Sequence, residues 1–298
     1  MPYTNTPMMD FYDRVNIDFI TGNAAYLYSE KGERYLDMAA GYAALSFGYS
    51  HPDLIATLDQ QNNRFWHLCN RYKIPKTLEF CTFLTKYSGL DKVYPCNIGA
   101  EAVESALKFT RHYFYAKNNA RYRFITIDSA FHGRTLAAAS AGAREKMSGF
   151  GPPTDGFDRV PFNDIKALEA AIKPDTAGVL IEPIQGEGGI RPHTKEYLKA
   201  LRALCDKHGI LLLFDEVQCG MGRTGHIFAA DYYGVKPDIF ILGKGIGGGF
   251  PVAAVVMKEK VAKLLEKGSH GSTFGGNPLA MAVGTKVLEL MGDPTFLQ

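Results

Sequence analysis

The chain has 298 residues, 46% of them hydrophobic, enough for a substantial core in one large domain or two smaller ones. Its 33 basic and 31 acidic side chains leave a net charge of +2, too small a field to recruit nucleic acid or an anionic membrane. Five cysteines without C-x-x-C spacing and eight histidines without an H-E-x-x-H pair point to reduced thiols in the cytoplasm, and away from a disulfide framework or catalytic metal.

Residues 1–20 are polar and aromatic without a signal-peptide core, and no stretch approaches the ~20 apolar residues of a membrane span. Residues 25–28 and 33–38 flank Lys31-Gly32 as a hairpin, and a helix is expected over 52–65. Trp66 to Asn70 read as packing residues. Tyr94-Pro95-Cys96-Asn97-Ile98-Gly99-Ala100-Glu101 then leads into an amphipathic helix over 102–114. A glycine turn opening a helix bares unpaired amides at the positive end of the macrodipole. Gly99 and Ala100 could thus receive a phosphate, or the turn could be an ordinary helix start.

Residues 124–127 form a strand ending near Phe131 and Arg134. Phe131 can lie flat on a ring and Arg134 can grip a carboxylate, or they are a core aromatic and a solvated cation. Residues 143–162 read as an irregular surface loop and 166–172 as a helix. A strand at 178–181 delivers Glu182 and Glu187 among glycines, as orienting acids or as plain loop acids. After a helix at 197–208 come two apolar runs, 210–214 and 239–242. The first delivers Asp215-Glu216-Val217-Gln218, the second Gly243-Lys244-Gly245. The alternation of strand and helix fits a mostly parallel sheet covered by helices on both faces. Such sheets keep their ligands at the carboxyl ends of the strands.

A lysine in that place is driven towards its neutral, nucleophilic form by burial, the requirement for a Schiff base. Pyridoxal phosphate chemistry needs such a lysine and, commonly, an acid for the ring nitrogen; Lys244 and Asp215 supply that pair. A buried Asp–Lys ion pair with no ligand is the alternative. Further on, 252–257 is strand-like, 258–267 and 279–290 are helical, and 269–278 is a glycine-rich loop. Two G-x-G-x-x-G matches, at Gly220/Gly222/Gly225 and Gly243/Gly245/Gly248, do not open helices and so do not fit a dinucleotide site.

The stretches Asn97-Ile98-Gly99-Ala100-Glu101-Ala102, Phe131-His132-Gly133-Arg134-Thr135, 182–189, 214–225, 242–245 and 271–278 stand in an order that resembles the class III aminotransferases, most closely their acetylornithine branch. The resemblance implies a fold-type I α/β architecture, pyridoxal 5′-phosphate as cofactor, and a homodimer sharing its active sites. It implies transamination of N-acetylornithine with 2-oxoglutarate in arginine biosynthesis, or of another ω-amino acid such as ornithine, succinylornithine or 4-aminobutyrate. By the same resemblance Lys244 and Asp215 are catalytic. Gly99, Ala100, Phe131, Glu216, Val217, Gln218 and a partner-facing Thr273 bind cofactor, while Arg134, Ser272 and Glu187 bind substrate. It divides the chain into an N-terminal segment (1–50), a cofactor-binding large domain (51–280) and the start of a truncated small domain (281–298), with an impaired second half-reaction as one consequence. Ile98, where relatives carry Ser or Thr, removes one hydroxyl from the phosphate site, and Ala44 and Tyr49 also depart from the pattern.

Overall fold

The computed structural model describes residues 7–298. Its centre is a seven-stranded sheet made of β1 (Lys92–Cys96), β2 (Arg123–Ile127), β3 (Phe157–Val160), β4 (Thr176–Ile181), β5 (Leu211–Asp215), β6 (Ile239–Leu242) and β7 (Ala253–Met257). In space the order is β1-β7-β6-β5-β4-β2-β3. All neighbours pair in parallel except β7, which runs against both β6 and β1. The mostly parallel sheet expected from the apolar runs is therefore present.

Strand alternation sorts the core into two layers. Leu211 and Leu213 of β5 and Ile239 and Ile241 of β6 face helix α3 (Gly99–Tyr115), with its Val103, Ala106 and Phe109. Leu212, Phe214, Phe240 and Leu242 face the opposite layer, which contains α2 (Pro75–Ser88), α4 (Lys195–His208) and α5 (Pro278–Met291). Strands covered on both faces carry unbroken apolar runs, and β4, β5 and β6 are buried throughout. Helix α1 (Pro52–Asn62) packs beside α5, and a meander of Phe19–Asn23, Tyr26–Ser29 and Arg34–Leu36 stands apart from the large sheet.

Several elements differ from the sequence reading. The expected loop 143–162 contains a 3-10 turn at Arg144–Met147 and the edge strand β3. Tyr94-Pro95-Cys96 belongs to β1, also an edge strand, where a proline costs no ladder bond on its open side. The helix expected over 258–267 is only Glu259–Ala262. Helix α2 was not anticipated. The expected division at residue 280 falls inside α5, whose Ala280, Met281, Val283, Val287 and Leu288 belong to the main core. A Cβ on Gly284 would lie 2.7 Å from the Phe80 ring of α2, so glycine there lets the two helices close together.

Candidate active site

The alternation that builds the core also aims the chemistry. Asp215 continues the Leu211–Leu213 face of β5, so its carboxylate emerges beside the start of α3. There it lines a cavity of about 150 Å³ together with Gly99, Ala100, Phe131, Val217 and Lys244. The Asp215 Oδ2 accepts a hydrogen bond from His132 Nδ1 at 2.7 Å, and its Oδ1 accepts the Val217 N–H at 3.0 Å. Lys244 follows β6, the strand next to β5, and adopts φ +47° at the head of a 3-10 turn (Lys244–Gly247). A non-glycine residue held in the left-handed region costs about 1–3 kcal/mol, strain that clusters at functional sites. Among the described residues, no hydrogen bond or ion pair engages its Nζ.

Close backbone approach shapes the walls. A Cβ on Gly99 would fall 2.8 Å from Val217 Cγ1, and one on Gly243 would fall 3.2 Å from the same atom. Val217 is thus wedged between two glycines, with no room for a Cβ at Gly99 and only a tight fit for one at Gly243. Gly186 is stricter, since a Cβ there would lie 1.4 Å from Gln218 Oε1. The amides of Gly99 and Ala100 lie in the opening turn of α3, where the helix offers them no carbonyl. Ile98, at the N-cap, is exposed and caps nothing; Glu101 instead reaches back to the Asn97 N–H at 2.8 Å.

The electrostatics follow from burial. Desolvation pushes the Lys244 amine below its ordinary pKa, partly offset by the charges of Asp215, Glu187 and Glu182. Burial also lowers His132, but its hydrogen bond to Asp215 and the Asp215 and Glu182 charges outweigh that, and its pKa is raised. Glu182 is pushed up to about 7 by burial, against the opposing effects of His132 and of the Phe131 and Gly186 N–H groups it accepts at 2.9 and 3.1 Å. His132 Nε2 is buried without a hydrogen-bond partner among the described residues.

Residues 11–298 match the family model for aminotransferase class-III. The chain belongs to the class III aminotransferases. The acetylornithine aminotransferase of Agrobacterium fabrum is 49% identical over 98% of this chain and 74% of its own length, and that of Methanocaldococcus jannaschii 45% identical over 96% and 72%. Among solved structures, the ornithine aminotransferase of Toxoplasma gondii superposes with a TM-score of 0.92 at 38% identity, covering 97% of this chain and 70% of the other. The N-acetylornithine aminotransferase of Stenotrophomonas maltophilia gives 0.80 at 36% identity, covering 95% and 71%.

Class III aminotransferases depend on pyridoxal phosphate, and the cavity of this aminotransferase fits that group. It offers an unengaged, desolvated amine, a buried acid fixed by a histidine, a flat aromatic wall and two free helix-start amides. Of the residues expected at the site, Lys244, Asp215, Gly99, Ala100, Phe131, Val217, Gln218 and Glu187 all line it. Arg134 is exposed at the rim, its guanidinium 5.6 Å from the centre of the Phe131 ring. Glu216 and Ser272 stand outside it, as does Thr273, which was expected to face the site of a partner subunit. Glu216 points to the other side of the strand and binds the Ala229 and Ala230 amides. Ser272 accepts from Asn97 Nδ2 at 3.2 Å and from the Gly275 N–H, and Thr273 is exposed. His132 was not anticipated; its only signal was its place directly after Phe131. Glu182 was visible as a strand-end acid, but not as a wall of the cavity.

Proposed function

We propose that the cavity holds pyridoxal phosphate and that the chain moves the terminal amino group of N-acetylornithine to 2-oxoglutarate, with Lys244 and Asp215 as its catalytic pair. The observation that carries this reading is the meeting of a desolvated lysine and a histidine-bound aspartate in one cavity, at the ends of adjacent strands. The relatives at 45–49% identity, named for acetylornithine, support the substrate.

When bound, the cofactor supplies an aldehyde that condenses with amines and a ring that draws electrons from the substrate carbon. Lys244 would hold it through Nζ, whose neutral form burial favours. The same Nζ would carry a proton at the amine-bearing carbon of the substrate. Asp215 would keep the ring nitrogen protonated, with His132 Nδ1 fixing the direction of its carboxylate. Phe131 and Val217 would bound the ring faces, Gln218 would reach the ring oxygen, and the Gly99 and Ala100 amides would receive the phosphate. Arg134 at the rim would take the substrate carboxylate, leaving the terminal amine to point towards Lys244. Glu187 would tune the admission of the second, dicarboxylic substrate; its carboxylate lies 4.0 Å from Lys146 Nζ. Ser272 and Thr273, outside their own chain's cavity, would serve the second subunit of a cytoplasmic homodimer.

A second reading takes ornithine itself as the donor, favoured by the closer superposition on the Toxoplasma gondii enzyme. A donor panel decides. With 2-oxoglutarate as acceptor and glutamate as readout, kcat/KM should be highest for N-acetylornithine, in a protein of twice the chain's mass. A higher value for ornithine or 4-aminobutyrate would overturn the substrate assignment.

A further inference from the structure

Glu216 is the residue after Asp215, and its side chain turns to the other side of the strand. Its side chain is fully buried. One carboxylate oxygen accepts the Ala229 N–H at 2.7 Å and the other the Ala230 N–H at 2.8 Å. These are the opening amides of the short helix Ala229–Tyr233, which receives no side-chain cap from Phe228. The Glu216 backbone is held as firmly, its N–H donating to Ile241 O at 2.9 Å and its carbonyl accepting the Gly220 N–H at 3.0 Å.

Between Glu216 and Ala229 runs the loop 217–228. Its remaining backbone bonds are mostly internal, such as Gly222 N–H to Ile227 O and Gly225 N–H to Gly222 O. Met221, Gly222 and Gly225 all have positive φ. The Gly220/Gly222/Gly225 match that opens no helix thereby acquires a physical reason. A Cβ on Gly220 would lie 2.7 Å from Glu216 O and 3.0 Å from Glu216 Oε2, so glycine is what allows the chain to double back on the carboxylate. The first two residues of this loop, Val217 and Gln218, are walls of the cavity.

We propose that Glu216 is a positioning residue, a clasp that joins the two ends of the 217–228 loop and thereby sets where Val217 and Gln218 stand against the cofactor. The proposal rests on the cavity being the cofactor site. Glutamine at 216 keeps the shape but leaves only one oxygen for two amides, with an NH₂ facing a donor. Proline at 229 removes one of those amides from the other side while suiting the first turn of a helix, and the extended Phe228 before it (φ −117°, ψ 142°) is compatible with a following proline.

The test uses the full chain. Pyridoxal phosphate is first titrated into the wild type by fluorescence, then into Glu216→Gln and Ala229→Pro, and amide hydrogen exchange is followed by mass spectrometry. Both variants should show faster exchange confined to 217–230 and a cofactor Kd raised about tenfold, the consequence of losing one buried acceptor or donor. If either variant fails to fold, the other is read. A folded variant with local exchange and Kd within about twofold of wild type overturns the clasp. So does faster exchange spread evenly over the chain, which marks a purely structural role. Absence of saturable binding to the wild type overturns the cavity reading and the clasp together, so the two failures are distinguishable.

Discussion

Asp215 and Glu216 are neighbours in sequence and opposites in placement, because successive side chains of a strand leave by opposite faces. One acid reaches the cavity; the other turns inward to the Ala229 and Ala230 amides. Arg134 shows the same dependence on position, standing exposed above Phe131 where an arriving carboxylate would meet it first. Replacing it by alanine should raise KM for N-acetylornithine by about tenfold or more, the worth of a charged hydrogen bond. KM for an amine that lacks a carboxylate should hardly change. Equal shifts for the two donors would remove Arg134 from substrate recognition. The meeting of Asp215 and Lys244 at one cavity, and most of its wall, were legible in the chain, since apolar runs mark buried strands and their ends are marked by polar residues. His132 was not, because nothing in the spacing of residues 131 and 215 shows that a strand end and a distant loop will meet.

At the scale of elements, the interior of the sheet was the easiest to read and its edges the hardest. β4, β5 and β6 are apolar on both faces. β3 is not: its Asp158 pairs with Arg123 of β2 at 2.9 Å and with Lys173 at 2.7 Å, so a strand at the rim looks like a polar loop. α2 escaped notice for a related reason, as its Leu78 is 71% exposed while Phe80 and Leu84 are buried, which blurs the helical period. The element that carries the clasp also has a pH signature. Burial raises Glu216 from an ordinary 4.5 to about 8, so between those values the folded chain holds a proton that the unfolded chain has released. Stability from this group is therefore full below about pH 4.5 and declines as pH rises through about 8. The melting temperature of the wild type should fall across that interval relative to Glu216→Gln, which has no such proton to lose. Parallel curves for the two proteins would contradict a protonated, buried Glu216.

For the molecule as a whole, the sheet is the device that makes distant residues adjacent. Stretches beginning at residues 99, 131, 182, 215 and 244 contribute to one cavity because β5 and β6 end side by side, with α3 starting against them. Among the described residues no helix is long and apolar enough to cross a membrane, and no cluster of His, Cys, Asp or Glu could hold a metal ion. The lysine–aspartate pair in the cavity is the centre of the proposed function. Its most direct test is to load the protein with pyridoxal phosphate, fix the cofactor by borohydride reduction, and locate it by peptide mass in wild type and in Lys244→Ala. The cofactor mass should appear on the peptide containing Lys244 in the wild type, and no labelled lysine should replace it in the variant. Labelling of another lysine, or equal labelling of both proteins, would contradict the account.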